Sequence, residues 1–523
     1  MRTESLPLAA LGYAPVFVDL AGAHDASRAL LPGGMALAQQ LTRAGRPGIA
    51  AGLGQGLVDW ATELGAAEAS RRNASRLRDG ALAVVTGQQP GLLGGPLLSL
   101  LKAATTVRAA ADLEQATGRA VVPVFWIEGD DHDLHEINRA TVAGDQGDLV
   151  RVEVAGLGAG GSVGSMPLGD GAAAVLAELE RAFGGASNGT ETLALVRRVL
   201  GPGATFTSAF AGILLDLLGA RGLVVCDGAM AAVKQASLPL VEQALRRADE
   251  AMQALAHGEA AVAAAGFAVQ APLAAGTMPL FVTEAASRRR LGRRERDDGL
   301  ELLKRDPGAL SPGVHLRPLV QDFVLPTIAT VLGPAEASYQ AQLGGLYELL
   351  AVPRPAALPR ACMTLIEPRV RRMLDTYGLG FGDVRGDAPG LARRLATARS
   401  PVDLVRLGSE ATDSVSATFD KLAAELSRLD ASLARSAEGH RGKAISAVDG
   451  LMRKAESAAR RADEVARRHA VTLGAALAPA GELQERVLSP LHFLARVGSV
   501  YVDRVVAHGG PSQGVHLLVD LGE

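Results

Sequence analysis

Three short and almost unbroken apolar runs constrain the fold of this chain more than any other feature. They are Leu82 to Val85, Val121 to Ile127, and Leu223 to Cys226. Each ends in glycine or acid, as Thr86-Gly87-Gln88-Gln89, Glu128-Gly129-Asp130-Asp131 and Asp227-Gly228. Apolar runs this short fit strands buried on both faces. Helical stretches separate them, so crossover connections and a parallel sheet are expected, with ligands at the strands' C-terminal ends. The expected fold class is α/β with a Rossmann-like core. The 523 residues are too many for one core and suggest two to four units at about 150 residues each.

The remaining stretches organise around that sheet. Pro96 stands where it would open an apolar helix from Leu97 to about Leu113. The core is expected at 1–165, 205–257 and 311–385, interrupted by insertions at 166–204 and 258–310. The second insertion carries a basic tract of six arginines, Arg288, Arg289, Arg290, Arg293, Arg294 and Arg296, read as a solvated loop or helix face or as a phosphate or partner contact. A helical coiled-coil domain is expected at 386–500 and a tail at 501–523. Val415, Phe419, Leu422, Leu426, Leu429 and Leu433 form one heptad series; Ile445, Val448, Met452, Ala455, Ala459, Ala462, Ala466 and His469 form another. Gly439 and Gly442 lie between them, so an antiparallel hairpin with its turn there is expected. Its alanine-rich seam buries little area, which predicts a homodimer with the arm near the interface.

Composition narrows the function. Lys+Arg 53 against Asp+Glu 56 gives a net charge of -3, without a general pull toward nucleic acid or anionic membrane. Aromatics at 3% leave few platforms for stacking bases. No run of about 18 apolar residues occurs, and the start Met-Arg-Thr-Glu-Ser-Leu-Pro lacks a signal-peptide pattern. Cys226 and Cys362 cannot build a disulfide framework, and Cys226, inside an apolar run, reads as core. A cytoplasmic protein is expected.

Three groups of residues could carry chemistry. The loop 86–96 offers Thr86, Gly87, Gln88, Gln89, Gly91 and Gly95 at a helix start, suited to a phosphate or carboxylate, or else a tight structural turn. It matches neither the Walker A pattern nor G-x-G-x-x-G. The literal G-x-G-x-x-G at Gly156, Gly158 and Gly161 opens no helix directly and reads as a weak match. Asp130, Asp131, His132, Asp133, His135 and Glu136 are the densest titratable cluster; His132 beside carboxylates would suit a general base. A metal site and a solvated helix cap are its rivals, although no second cluster completes a metal ligand set. Arg317, Gln321, Asp322, Glu336 and Tyr339 lie among apolar residues, as a carboxylate-binding group or a structural salt bridge.

The stretches TGQQPGLLGGPL, PVFWIEGDDHDLHEIN, RPLVQDFVLPTIATVLGPAEASYQAQL, MTLIEP and LQERVLSPLHFL occur in that order along the chain. Together they resemble the bacillithiol-biosynthesis cysteine-adding enzymes, the BshC cysteine ligases. The resemblance implies a Rossmann-like core similar to class I aminoacyl-tRNA synthetases, two connecting-peptide insertions and a dimer-supporting coiled-coil domain. It implies L-cysteine and glucosaminyl-malate as substrates, joined in the last step of bacillithiol synthesis. ATP or another nucleotide would activate the cysteine carboxyl. The class I His-x-Gly-His box is replaced by Gln88-Gln89-Pro90-Gly91, and no Lys-Met-Ser-Lys-Ser loop is present. On this reading His132, with Asp131 and Asp133, would do the proton chemistry, and Arg317 would pair a malate carboxylate. The alternatives are a silent sugar- or nucleotide-binding scaffold with a partner arm, and a metal-dependent hydrolase.

Overall fold

Thirteen strands form among the residues described in the computed structural model, which are 3–144, 147–157, 162–284, 287–385, 390–392, 394–395 and 403–522. In chain order they are β1 (Thr3–Pro7), β2 (Leu82–Gln88), β3 (Val121–Ile127), β4 (Arg139–Ala143), β5 (Leu149–Glu153), β6 (Val224–Asp227) and β7 (Thr277–Glu284). Then follow β8 (Ser287–Gly292), β9 (Leu310–Pro312), β10 (Thr327–Leu332), β11 (Ala356–Pro359), β12 (Cys362–Ile366) and β13 (Val515–Asp520). The three apolar runs became β2, β3 and β6, buried on both faces apart from Gln88 and Asp227 at the C-terminal ends of β2 and β6.

A five-stranded sheet is ordered β11-β10-β2-β3-β6, and every pairing in it is parallel. The chain moves from β2 through β3 to β6 on one side, then returns to place β10 and β11 on the other. The strand order therefore reverses at β2, where an open α/β sheet forms its ligand crevice. Helix α1 (Leu97–Thr117) follows β2 and packs its first turns into the core. Pro96 is the residue before the helix and not its first residue, one position from the expectation. The short α2 (Leu134–Ile137) follows β3, and Asp133 caps it by accepting the His135 backbone N–H. Helix α3 (Phe206–Leu218) lies almost wholly buried. Helices α4 (Arg317–Val324) and α5 (Pro334–Gln340) bracket β10, each opening with a proline in its first turn.

The arginine-rich tract corrects an expectation. Its first half is neither a loop nor a helix face: Arg288, Arg289 and Arg290 lie on β8, which pairs antiparallel with β7, and β7 pairs with β9, whereas Arg293 and Arg294 sit exposed on the helical turn that follows, as expected. The literal G-x-G-x-x-G match stays unplaced, because Gly158 and Gly161 lie outside the described residues.

Two compact units divide the chain: 1–145 with 149–368 and 482–523, and 146–148 with 369–481. In the first unit β13 lies between antiparallel β1 and parallel β12. The MTLIEP and LQERVLSPLHFL stretches meet there through buried polar groups. The Leu365 N–H donates to Gln484 Oε1 at 2.8 Å, the Met363 N–H to Glu485 Oε2 at 3.1 Å, and His492 Nε2 contacts Glu367 Oε1 at 3.0 Å.

The second unit is helical, with α6 (Leu404–Leu426) and α7 (Ala431–Leu477) as its long elements. They run antiparallel, with Arg441 paired to Asp420 at 2.5 Å and Gly408 lying against Met452. The turn is at 427–430, not at Gly439 and Gly442, which sit inside α7. Asp430 decides this by capping α7 through the Ser432 N–H, whereas a glycine within a helix costs only about 1 kcal/mol. Leu429 consequently leaves the expected seam and is 79% exposed. The side chains of Ala459 and Ala462 lie outside the described set; Ala466, Ala470 and Leu473 are buried. Among the described residues no helix is long and apolar enough to cross a membrane.

Candidate active site

A cavity of about 510 Å³ opens at the C-terminal edge of the parallel sheet, within the roughly 300–1,000 Å³ typical of small-molecule sites. Gln88 and Gln89 reach it from the end of β2, and Glu128, Asp130, Asp131 and His132 from the loop after β3. Gly333 and Glu336 come from the β10–α5 junction, Arg317 from α4 and Tyr339 from α5. Lys102 rises from α1, while Phe281, Arg288 and Arg290 come from β7 and β8.

Most acids and bases in the cavity are paired. The Lys102 ammonium is 2.7 Å from Glu336 Oε2 and donates to Gly87 O at 2.9 Å and Gln88 Oε1 at 2.5 Å. Three acceptors match its three N–H bonds. Glu336 Oε2 also accepts the Gly333 N–H at 2.6 Å, which fixes the start of α5. Burial lowers the Lys102 pKa, with Glu336 opposing that shift. Arg317 Nε lies 3.1 Å from Glu128 Oε1, and its Nη2 donates to the Tyr339 hydroxyl. Burial raises the Glu128 pKa, and the Arg317 charge offsets this only in part.

Asp131 behaves differently. Burial pushes its carboxyl up, but bonds from Gln89 Nε2 at 2.5 Å and the His132 backbone N–H at 2.6 Å outweigh it, and the pKa falls below the usual value. Arg288 Nη1 sits 2.9 Å from His132 Nδ1. A guanidinium only donates, so Nδ1 accepts and the neutral ring carries its proton on Nε2. Asp131 Oδ1 lies 3.2 Å from the same nitrogen.

Of the residues singled out in the sequence as candidate site groups, Gln88, Gln89, Asp130, Asp131, His132, Glu136, Arg317, Glu336 and Tyr339 line this one cavity. Others do not. Thr86 is buried and donates to Val331 O at 2.9 Å, and Gly87 stands behind the wall with its carbonyl on Lys102. The glycine loop does not fit a phosphate. A Cβ at Gly91 would come within 2.8 Å of Gly95 Cα, Gly94 faces Ile213 and Pro490, and the Leu97 N–H donates to Leu488 O at 2.7 Å. Its glycines close a packed turn, with Gly94 and Gly95 at positive φ. Asp133 spends its carboxylate on the α2 cap. Gln321 and Asp322 lie on the buried side of α4, where Asp322 accepts from Gln321 at 3.0 Å and Tyr347 at 2.6 Å. Cys226 is buried in β6, where burial pushes its thiol up. Among the described residues no group of three or more His, Cys, Asp or Glu side chains could hold a metal ion.

Sequence reasoning did not single out Lys102, Glu128, Arg288 or Arg290 for this cavity. A lone lysine within the apolar helix LLSLLKAATTV was the available signal for the first.

The family model for the BshC N-terminal Rossmann-like domain matches residues 37–361, and the model for the BshC C-terminal coiled-coil domain matches residues 363–521. The chain belongs to the BshC family. Relatives agree along most of its length: it is 35% identical to a protein of Koribacter versatilis over 86% of this chain and 85% of the relative. It is 34% identical to one of Salinibacter ruber over 95% and 94%, and 29% identical to one of Geobacillus thermodenitrificans over 90% of each. Each of the three bears the name "putative cysteine ligase BshC". A ligase of bacillithiol biosynthesis is therefore the activity class of the family.

Proposed function

We propose that the chain joins the carboxyl group of L-cysteine to the glucosamine amine of glucosaminyl-malate, completing bacillithiol, as a cytoplasmic homodimer. The observation that carries this reading is the cavity's balance of charge. Glu128, Asp130, Asp131, Glu136 and Glu336 stand against Lys102, Arg288, Arg290, Arg317 and Arg360. Both proposed substrates combine ammonium and carboxylate groups, which a mixed lining can bind and a single-sign lining would repel.

A free carboxylate is a poor electrophile, so ATP or another nucleotide would supply the energy that activates the cysteine acyl group. The Gly91–Gly95 turn is not offered as its phosphate site, because its backbone is packed and its helix start is hydrogen-bonded. The acceptor amine attacks only as the free base, so an ammonium proton must leave before the carbon–nitrogen bond forms. Glu128 suits that transfer: its pKa is raised, and it lines the cavity beside Arg317. His132 in its neutral form carries the Nε2 proton and is placed to donate, not to accept, at that nitrogen. Asp131, held ionised, anchors Gln89 and the loop. The assay is direct: cysteine, glucosaminyl-malate and each common nucleoside triphosphate with purified full-length protein, read by mass spectrometry. Formation of the condensed thiol is expected. No product from any donor, including preformed cysteinyl adenylate, removes the proposal.

A further inference from the structure

Most cations in the cavity already have a carboxylate. Lys102 has Glu336 at 2.7 Å, Arg317 has Glu128 at 3.1 Å, Arg360 has Glu485 at 2.5 Å, and Arg288 has Asp131 at 3.8 Å. Arg290 alone of these five has no acid partner among the described residues. Three others of its tract are spoken for on other faces: Arg289 pairs with Glu295 at 3.0 Å, Arg293 with Asp249 at 3.1 Å and Arg296 with Asp297 at 3.1 Å.

Strand geometry explains the partition. Residues two apart on β8 share a face, so Arg288 and Arg290 turn to the cavity while Arg289 turns away. Phe281 on β7 is the direct cross-strand partner of Arg290. The Arg288 and Arg290 guanidinium carbons lie 4.0 Å and 5.0 Å from the centre of its ring. Stacking on one aromatic ring fixes both planar cations; Arg288 spends N–H groups on Ser311 Oγ at 3.0 Å and His132 Nδ1 at 2.9 Å, so the N–H edge of Arg290 is the one left to meet a ligand. Two like charges held this close, with one lacking a counterion, are stabilised by an incoming oxyanion that matches the guanidinium fork. Arg288 also touches His132, so an anion bound here would sit next to the proton-handling groups.

We propose that Arg290, with Arg288 beside it on Phe281, is a subsite for a doubly charged oxyanion group, and that this group is the malyl dicarboxylate of the acceptor. The assignment rests on the function proposed above. It also moves malate recognition from Arg317, whose guanidinium is taken by Glu128 and Tyr339, to β8. A nucleotide polyphosphate presents the same oxyanion chemistry, and the test separates the two sources.

Calorimetric titration of full-length protein with L-malate and, separately, with pyrophosphate reads the subsite without requiring turnover. Arg290→Gln should weaken L-malate binding by about tenfold or more, the scale of one lost charge-assisted contact, and leave pyrophosphate unchanged. Arg289→Gln, on the opposite strand face, should alter neither. Loss of pyrophosphate binding with malate unaffected overturns the malyl assignment in favour of a phosphate donor. Unchanged binding of both in Arg290→Gln, or no malate binding by the unmodified protein, overturns the subsite. The ligation assay keeps the two claims apart. An unchanged KM for glucosaminyl-malate in Arg290→Gln rejects the subsite while the function stands. Malate binding that depends on Arg290 in a protein without ligase turnover rejects the function while the subsite stands.

Discussion

Glu128 and His132 are four residues apart on one loop, yet burial and partners give them different proton chemistry. Glu128→Gln should cut amide formation by about 100-fold or more, the usual weight of a general base, with folding checked by circular dichroism. His132→Gln should cost less. Since the Glu128 pKa is raised, activity should rise with pH across a limb above the ordinary carboxylate range, and Glu128→Gln should abolish that limb. A larger loss from His132→Gln with the limb intact would return the base to His132. Asp322 makes a separate stability prediction. Burial raises its pKa to about 6, against bonds from Tyr347 and Gln321 that pull it down. The folded chain thus binds that proton more tightly than the unfolded chain. Its stabilising effect is full below the unfolded value near 4 and is lost as pH rises through about 6, a change on the order of 3 kcal/mol. Asp322→Asn should flatten that part of a denaturation-versus-pH curve; an unchanged slope would show that Asp322 does not set it. At this scale the sequence was legible where residue type and strand end coincided, as for Asp131 and His132. It was silent on Lys102, because nothing local says that a helix turns its one lysine inward onto Glu336.

Elements were legible where one signal dominated. The unbroken apolar runs of β2, β3 and β6 admit few other readings, whereas β8 hid behind its charge. Arginine runs suggest solvent, yet alternation on a strand sends Arg288 inward and leaves Arg289 outside. The hairpin was read correctly as two antiparallel helices but with its turn about a dozen residues late, because glycine was weighed above an aspartate cap. That correction is testable. Gly439 and Gly442 are exposed within α7, and a Cβ added to either meets no atom within 4 Å. Replacing each with alanine should stabilise α7 by up to about 1 kcal/mol, seen as slower amide exchange along the helix in the full-length protein. If the chain turned at these glycines, alanine would instead speed exchange there.

For the molecule as a whole, the parallel sheet and the helical unit followed from periodicity, and the cavity followed from the rule that such sheets bind at their C-terminal edge. The arm raises the question of assembly. Helix α6 has no buried residue in the single chain, and Leu422, Leu433 and Leu451 remain 45%, 38% and 67% exposed. Apolar side chains repeated along one helical unit and left open to water favour a second copy, since closed two-fold pairing buries the same surface twice. Light scattering should therefore report a mass twice that of the chain. Because Leu422 and Leu451 are already exposed, replacing both with aspartate should cost the single chain little stability. The pair of charges would, however, be buried without partners at a dimer interface. The expected result is loss of the dimer with helical content retained by circular dichroism. A monomer in the unmodified protein, or a dimer untouched by the two aspartates, would place the contact elsewhere and leave the arm's apolar stripe for another partner.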